Sequence, residues 1–201
     1  MEFECTREEF EAMEEFFFSG SEGKTLDEDA LSLVLTVLGL KKGSAIYDNR
    51  GKDGFEQALR DSGLCFRTPP ADVETSLQDN LEGWEYLVTR KRENLDAVEL
   101  RYRSREEFIG DLGLFCGYPE EDVAWFARDG KDEWPEWRSR KELKEISVYA
   151  FYRPKPEKEN IERARERVER NKEVLGEMDE RFDTDLGARL REALDSSVDR
   201  R

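Results

Sequence analysis

The segment Arg105–Gly130, REEFIGDLGLFCGYPEEDVAWFARDG, leaves the backbone fewer choices than any other part of the chain. Ser104 followed by Glu107 has capping-box spacing, and Phe108, Ile109, Leu112 and Phe115 then recur at helical intervals, predicting a short amphipathic helix. Gly117 ends it. Pro119 suits the first position of a second helix, because its missing N–H has no partner there anyway and its φ is already helical. Glu120, Glu121 and Asp122 in that first turn complement the positive end of the helix dipole, and Val123, Trp125 and Phe126 follow. The unit reads as helix, tight corner, helix.

A degenerate second copy lies fifty residues upstream. Residues 54–80 pair without gaps with residues 104–130 through Glu56/Glu106, Asp61/Asp111, Gly63/Gly113, Leu64/Leu114, Pro69/Pro119, Asp72/Asp122, Val73/Val123 and Asp79/Asp129. An acid-rich chain supplies aspartates by chance, but not the register of Gly, Pro and Val, so we read an internal repeat.

The residue inventory bounds the chemistry. There is no histidine, which removes Ser-His-Asp and Cys-His catalysis, imidazole acid–base work and His-ligated metal from a single chain. Cys5, Cys65 and Cys116 are too few and too scattered for a disulfide framework or a zinc knuckle, no metal site is expected, and no cofactor is indicated. The 49 acidic against 33 basic residues give a net charge of −16, spread along the chain with lysine scarce. That is the composition of a protein kept dispersed in concentrated salt, and it predicts a halophilic, cytoplasmic protein that does not bind nucleic acid. The longest apolar run, Leu31–Leu40, is half the roughly 20 residues of a membrane span, and no cleavable signal is visible, so no membrane association is expected.

In chain order, Thr6 and Glu9 form a capping box before an amphipathic helix carrying Phe10, Met13, Phe16 and Phe17. Ser19–Thr25 ends like a phosphate-binding loop, but Phe18 stands where the pattern needs its first Gly and a glutamate-rich helix precedes it, so we read a turn in which Thr25 and Glu28 cap the next helix. Leu26–Leu38 is a buried central helix, and Ser44–Asp48 a short strand. Trp84–Arg92 and Ala97–Arg103 alternate around Glu93–Asp96 and read as a hairpin, with a helix as the alternative. Trp134 and Trp137 flank Pro135 in an acidic loop, either as a lid on the core or as a binding anchor. Glu145–Tyr152 alternates and reads as a strand. Ile161, Ala164, Val168, Asn171, Leu175, Met178 and Phe182 then form a heptad-like seam, suited equally to self-association and to packing on the same chain, and Leu186, Leu190 and Leu194 line a final helix. The predicted fold is α+β: residues 1–156 form a core with a small, mostly antiparallel sheet, and residues 157–201 a C-terminal helical hairpin.

Gly113-Leu114-Phe115-Cys116-Gly117-Tyr118-Pro119-Glu120-Glu121-Asp122-Val123 resembles the G-L-F-L-G-Y-P-x-x-D-V hallmark of a family of prokaryotic proteins of unknown function. In that family a strand with a W-x-V-Y-like core and a charged helix follow, similar to Val148–Tyr152 and the helix after Glu157. This chain departs at Cys116, where the family has Leu, and at Arg105-Glu106-Glu107, where Pro-His-Glu often stands. The resemblance implies a fold unit and no activity.

The sequence therefore points to a non-catalytic binding or regulatory module rather than an enzyme. The candidate binding residues are Tyr118, Cys116, Asp122, Trp134 and Trp137, with a protein partner or a second copy at the 161–182 helix. The alternative is a small-molecule binder or enzyme working with carboxylates, Arg, Tyr and Cys116. Tyr118 stands out because an aromatic cannot cap a helix. Either it packs as a hydrophobic staple, or its ring lies exposed beside the helix N-terminus.

Overall fold

The structure, a computed structural model, describes residues 2–19, 26–46, 54–68, 86–98, 105–128 and 139–199. Among these, nine helices surround one three-stranded antiparallel sheet, an α+β arrangement. Trp134, Trp137, Ser104, Pro69 and the 20–25 turn lie outside the described residues.

Helix α1 (Arg7–Phe18) carries the expected capping box: Thr6 Oγ1 accepts from the Glu9 amide, and Glu9 accepts from the Thr6 amide in return. Helix α2 (Glu28–Val37) is capped by Asp27, whose Oδ1 accepts from the Ala30 amide at 2.9 Å. This corrects the expectation that Thr25 and Glu28 form the cap, because a short carboxylate directly before the first turn reaches its N–H groups best. Every residue from Ala30 to Leu38 is buried, so α2 is the central helix.

Strand β1 (Ser44–Ile46) follows, then α3 (Phe55–Asp61), β2 (Cys65–Arg67), β3 (Tyr86–Thr89) and α4 (Arg92–Asp96). The sheet order is β1-β3-β2, with Ala45 opposite Leu87 and Phe66 opposite Val88. The expected hairpin over Trp84–Arg92 and Ala97–Arg103 is thereby corrected. Both edges of β3 are taken, by β1 and β2, and the chain turns into α4 where a hairpin turn would stand. Ala97 and Val98 are not strand, and residues 99–103 lie outside the described set.

Helices α5 (Arg105–Phe115) and α6 (Glu120–Arg128) form the helix-corner-helix unit. Gly117 adopts φ +76°, its amide donates to the Leu114 carbonyl and the Tyr118 amide donates to that of Gly113. This double bond pattern is a Schellman closure, with Gly117 in the left-handed position that a Cβ would disfavour. The same pair of bonds ends α2 at Gly39-Leu40 and α3 at Gly63-Leu64. Gly113 does a different job within α5. A Cβ there would lie 2.6 Å from a Val123 methyl, so its lack of a side chain lets α6 close against α5. The sequence pairing of Gly63 with Gly113 thus joins a helix terminator to a packing glycine, and residues 69–80 of the upstream unit are outside the described set.

Helix α7 (Arg140–Ala150) replaces the strand expected at Glu145–Tyr152. Ser139 caps it, accepting from the Glu142 amide at 3.1 Å, and Ile146, Tyr149 and Ala150 share a helical stripe. Helices α2, α8 (Lys158–Phe182) and α9 (Leu186–Asp199) all pack on α7. Burial on several sides also hides Val148, so Ile146, Val148 and Ala150 imitate the two-residue period of a strand.

The seam residues Ile161, Ala164, Val168, Asn171, Leu175, Met178 and Phe182 are all buried within this chain. All but Asn171 share one core cluster with residues of α1, α2 and α7, including Phe10, whose ring stacks on Phe182 at 4.2 Å. Asp179 joins α8 to α9 by accepting from the Gly187 and Ala188 amides at 2.7 and 2.8 Å, a carboxylate on the positive end of α9.

Candidate functional site

The corner between α5 and α6 brings together three of the five candidate residues. Tyr118 occupies the third position past Phe115, the last residue of α5, where a hydrophobic contact back onto the helix end is the usual companion of a Schellman closure. Its ring stacks on Tyr152 with centroids 5.2 Å apart, and it touches both the main core and a smaller cluster of Leu87, Leu95, Val98, Phe115 and Cys116. Cys116 is buried in that smaller cluster. Burial foremost, then the neighbouring Cys116 thiol, raises the Tyr118 hydroxyl well above its ordinary pKa, against the opposing pull of Arg167.

Two cations secure the corner from outside. Helix α5 has no basic residue in its own last turn. Lys42 instead donates to the Leu114 carbonyl at 3.1 Å and Arg167 to the Gly117 carbonyl at 3.0 Å, so the negative end of α5 is satisfied by α8 and by the strap after α2. The Arg167 guanidinium also lies over the Tyr118 and Tyr152 rings, at 5.9 and 5.7 Å from their centroids.

Behind Tyr118 is a group that the sequence reading missed. Lys41 is 6 % exposed. Its Nζ donates to Ser32 Oγ at 2.8 Å, the Gly43 carbonyl at 2.8 Å and Ser44 Oγ at 3.2 Å, three acceptors for the three donors of an ammonium. Ser44 Oγ lies 2.7 Å from both Ser32 Oγ and Thr36 Oγ1, so the hydroxyls are interlinked. The Tyr118 and Phe151 rings cover the ammonium at 5.5 and 5.1 Å. Phe151 holds φ +67°, a strained place for a bulky residue, in order to end α7 and set its ring there. Burial lowers the Lys41 pKa below its ordinary value, and Arg167 pushes the same way. The available signal was Ser32 and Thr36, one turn apart inside an otherwise apolar helix.

Asp122, on the other side of the corner, is 1 % exposed. Its Oδ1 accepts from the Lys155 amide at 2.9 Å and from Asn160 Nδ2 at 2.6 Å, fastening α6 to the start of α8. Its Oδ2 has no hydrogen-bond partner, the one buried side-chain atom in that condition among the described residues. Burial raises its pKa, partly offset by the two hydrogen bonds and by Arg163. Nearby Tyr152 is pushed up to about 12 by burial and then by the Asp122 charge. An exposed ion pair between Arg163 and Glu121 adds a surface link across the same joint.

A cleft of about 690 Å³ lies along this joint, lined by Pro119 of the corner, by Glu120, Glu121, Ala124, Trp125 and Arg128 from α6, and by Lys155 and Arg163. Cys116 and Tyr118 do not line it. No group of three or more His, Cys, Asp or Glu side chains is placed to hold a metal among the described residues, and no helix there is long and apolar enough to cross a membrane.

The hallmark-like string now has a reason at most positions: Gly113 admits Val123, Gly117 turns the chain, Tyr118 seals the corner, and Asp122 fastens α6 to α8. No protein-family model matches the chain, and neither a curated protein nor a solved structure matches it.

Proposed function

We propose that this chain is a non-catalytic binding module whose ligand-facing surface is the cleft between α6 and the start of α8. One observation carries this reading: the groups a histidine-free enzyme would use as nucleophile or acid, Cys116, Tyr118 and Lys41, are packed behind the corner, whereas the cleft outside offers carboxylates, cations and an indole. Such a lining suits binding and orienting a ligand. The 161–182 stripe is filled by this chain's own core, so a partner is expected at the cleft rather than on that stripe. The acidic balance supports a salt-rich cytoplasm as its setting and argues against nucleic acid as the ligand.

Thiol labelling of the native protein, followed by intact mass, tests the reading. Half-buried Cys65 is expected to react first and Cys5 and Cys116, each 5 % exposed, only on unfolding. Rapid modification of Cys116 near neutral pH would favour the enzyme. The salt-adapted setting has its own test. A net charge of −16 repels itself until ions screen it, with a Debye length of about 10 Å at 0.1 M and about 3 Å at 1 M, so the melting midpoint should rise with potassium chloride. A midpoint unchanged up to molar salt removes that inference.

A further inference from the structure

Glu120, Ala124 and Arg128 form one exposed line along α6, one residue per turn, and all three face the cleft. Neither charge at its ends is fully answered within the chain. The Glu120 side chain has no ion pair or hydrogen bond among the described residues. Arg128 commits only Nε, to the Ala124 carbonyl at 3.1 Å, which leaves its terminal N–H groups open. The two stand about 12 Å apart along the helix axis, too far to meet each other. Elsewhere the chain sets opposite charges four apart on a helix, where they do meet, as with Arg7 and Glu11 or Asp185 and Arg189. We propose that the cleft face of α6 is a self-association surface, on which a second copy of this chain lays its own α6 antiparallel across Ala124.

Charge and shape both select that occupant. A two-fold axis at Ala124 brings Arg128 of the second copy to Glu120, and the same operation brings Glu120 of the second copy to Arg128, so the face is complementary to itself. At the Glu120 end this chain already pairs Arg163 with Glu121 and Lys155 with Glu157, which leaves Glu120 as the unbalanced charge. One arginine from outside neutralises it. The small Ala124 side chain at the crossing lets the two helix axes approach to about 8 Å. Trp125, 8 % exposed, gives the cleft a rigid flank beside it. At a net charge of −16 two copies repel each other overall, so a face that offers both signs in the matching order is where they can meet. One short helix from each copy makes a small interface, and the pair is accordingly weak and transient.

The inference rests on the reading of the cleft as the binding surface, and its test separates the two. Sedimentation velocity of the full chain, from about micromolar to about millimolar, is run in about 1 M potassium chloride, where a Debye length of about 3 Å removes the long-range repulsion. The parent is expected to pass reversibly from monomer to dimer. Glu120→Arg and Arg128→Glu, both at exposed positions, should each weaken dimerisation at least about tenfold, because each sets like charges opposite one another at both ends. Mixed in equal amounts, the two variants should recover the dimer, since one then carries two cations on the face and the other two anions. Should a charge reversal disturb α6, Ala124→Arg, exposed at the crossing, decides alone, and unchanged dimerisation overturns the proposal. A dimer that both charge variants form as tightly as the parent uses another face and overturns it, as does a mixture no stronger than either variant alone. A parent that stays monomeric throughout, with Cys116 protected from labelling, overturns the second copy as the partner and leaves the binding module standing; rapid labelling of Cys116 brings down the module itself.

Discussion

Two charges are buried on either side of Tyr118, and the chain treats them differently. Lys41 has three acceptors for its three N–H donors, two aromatic rings over it and interlinked hydroxyls around it. Asp122 has one oxygen fully engaged and the other bare. Burial disfavours both charges, lowering the lysine pKa and raising that of the aspartate. A buried charge whose every hydrogen-bonding position is filled works as a structural pin. One left partly unfilled keeps an uncompensated desolvation cost at that atom.

The wall between the two sites gives the largest expected effect. Tyr118→Ala removes the ring that covers Lys41 and stacks on Tyr152, and should cost about 2–4 kcal/mol in denaturant unfolding. Tyr118→Phe loses only the hydroxyl beside Cys116 and should stay within about 1 kcal/mol of the parent. An unchanged melting temperature in Tyr118→Ala would show that the ring does not seal the corner.

Lys41→Met comes next. It removes an unfavourably buried charge but strands Ser32 Oγ, Ser44 Oγ and the Gly43 carbonyl, for a net loss of about 1–3 kcal/mol near neutral pH. The folded-state pKa of Lys41 lies below the ordinary 10.5, so its charge weighs against folding at neutral pH, and that penalty fades as pH rises from the folded pKa to 10.5. Parent stability minus variant stability should therefore grow with rising alkaline pH. A flat difference would mean that Lys41 is not desolvated.

Asp122→Asn should have the smallest effect on stability, within about 1 kcal/mol near neutral pH, since the amide oxygen keeps both Oδ1 hydrogen bonds while the amide nitrogen takes the bare position. Here the sign reverses. The folded pKa lies above the ordinary 3.8, so the parent gains stability relative to the variant as pH falls through the folded pKa toward 3.8. A relative loss over that range would mark Asp122 as an ordinary paired carboxylate.

The same contrast runs through what the sequence disclosed. Local rules with one strong solution were readable: the Thr6/Glu9 capping box, the turn at Gly117, the nearly continuous apolar run of α2 and the stripe along α8. Features decided by neighbours distant in sequence were not. Glu145–Tyr152 alternates like a strand because several helices bury α7, and nothing local shows that β1 and β2 occupy both edges of β3. Tyr118 was marked as unusual, but its role became visible only once it was counted from the end of α5 instead of the start of α6. Asp122 read as one of three first-turn acids, and its burial depends on Lys155 and Asn160 arriving from α8 and the turn before it. Lys41 itself carried no sign beyond the Ser32 and Thr36 hydroxyls of α2, because its partners come from α2, β1 and the turn between them.

The most direct test of the contrast is a carboxyl-detected ¹³C NMR pH titration of Asp122 in the folded protein. The account predicts an apparent pKa above the ordinary 3.8, because burial disfavours the carboxylate by more than its two Oδ1 hydrogen bonds favour it. An Asp122 pKa at or below 3.8 would contradict it.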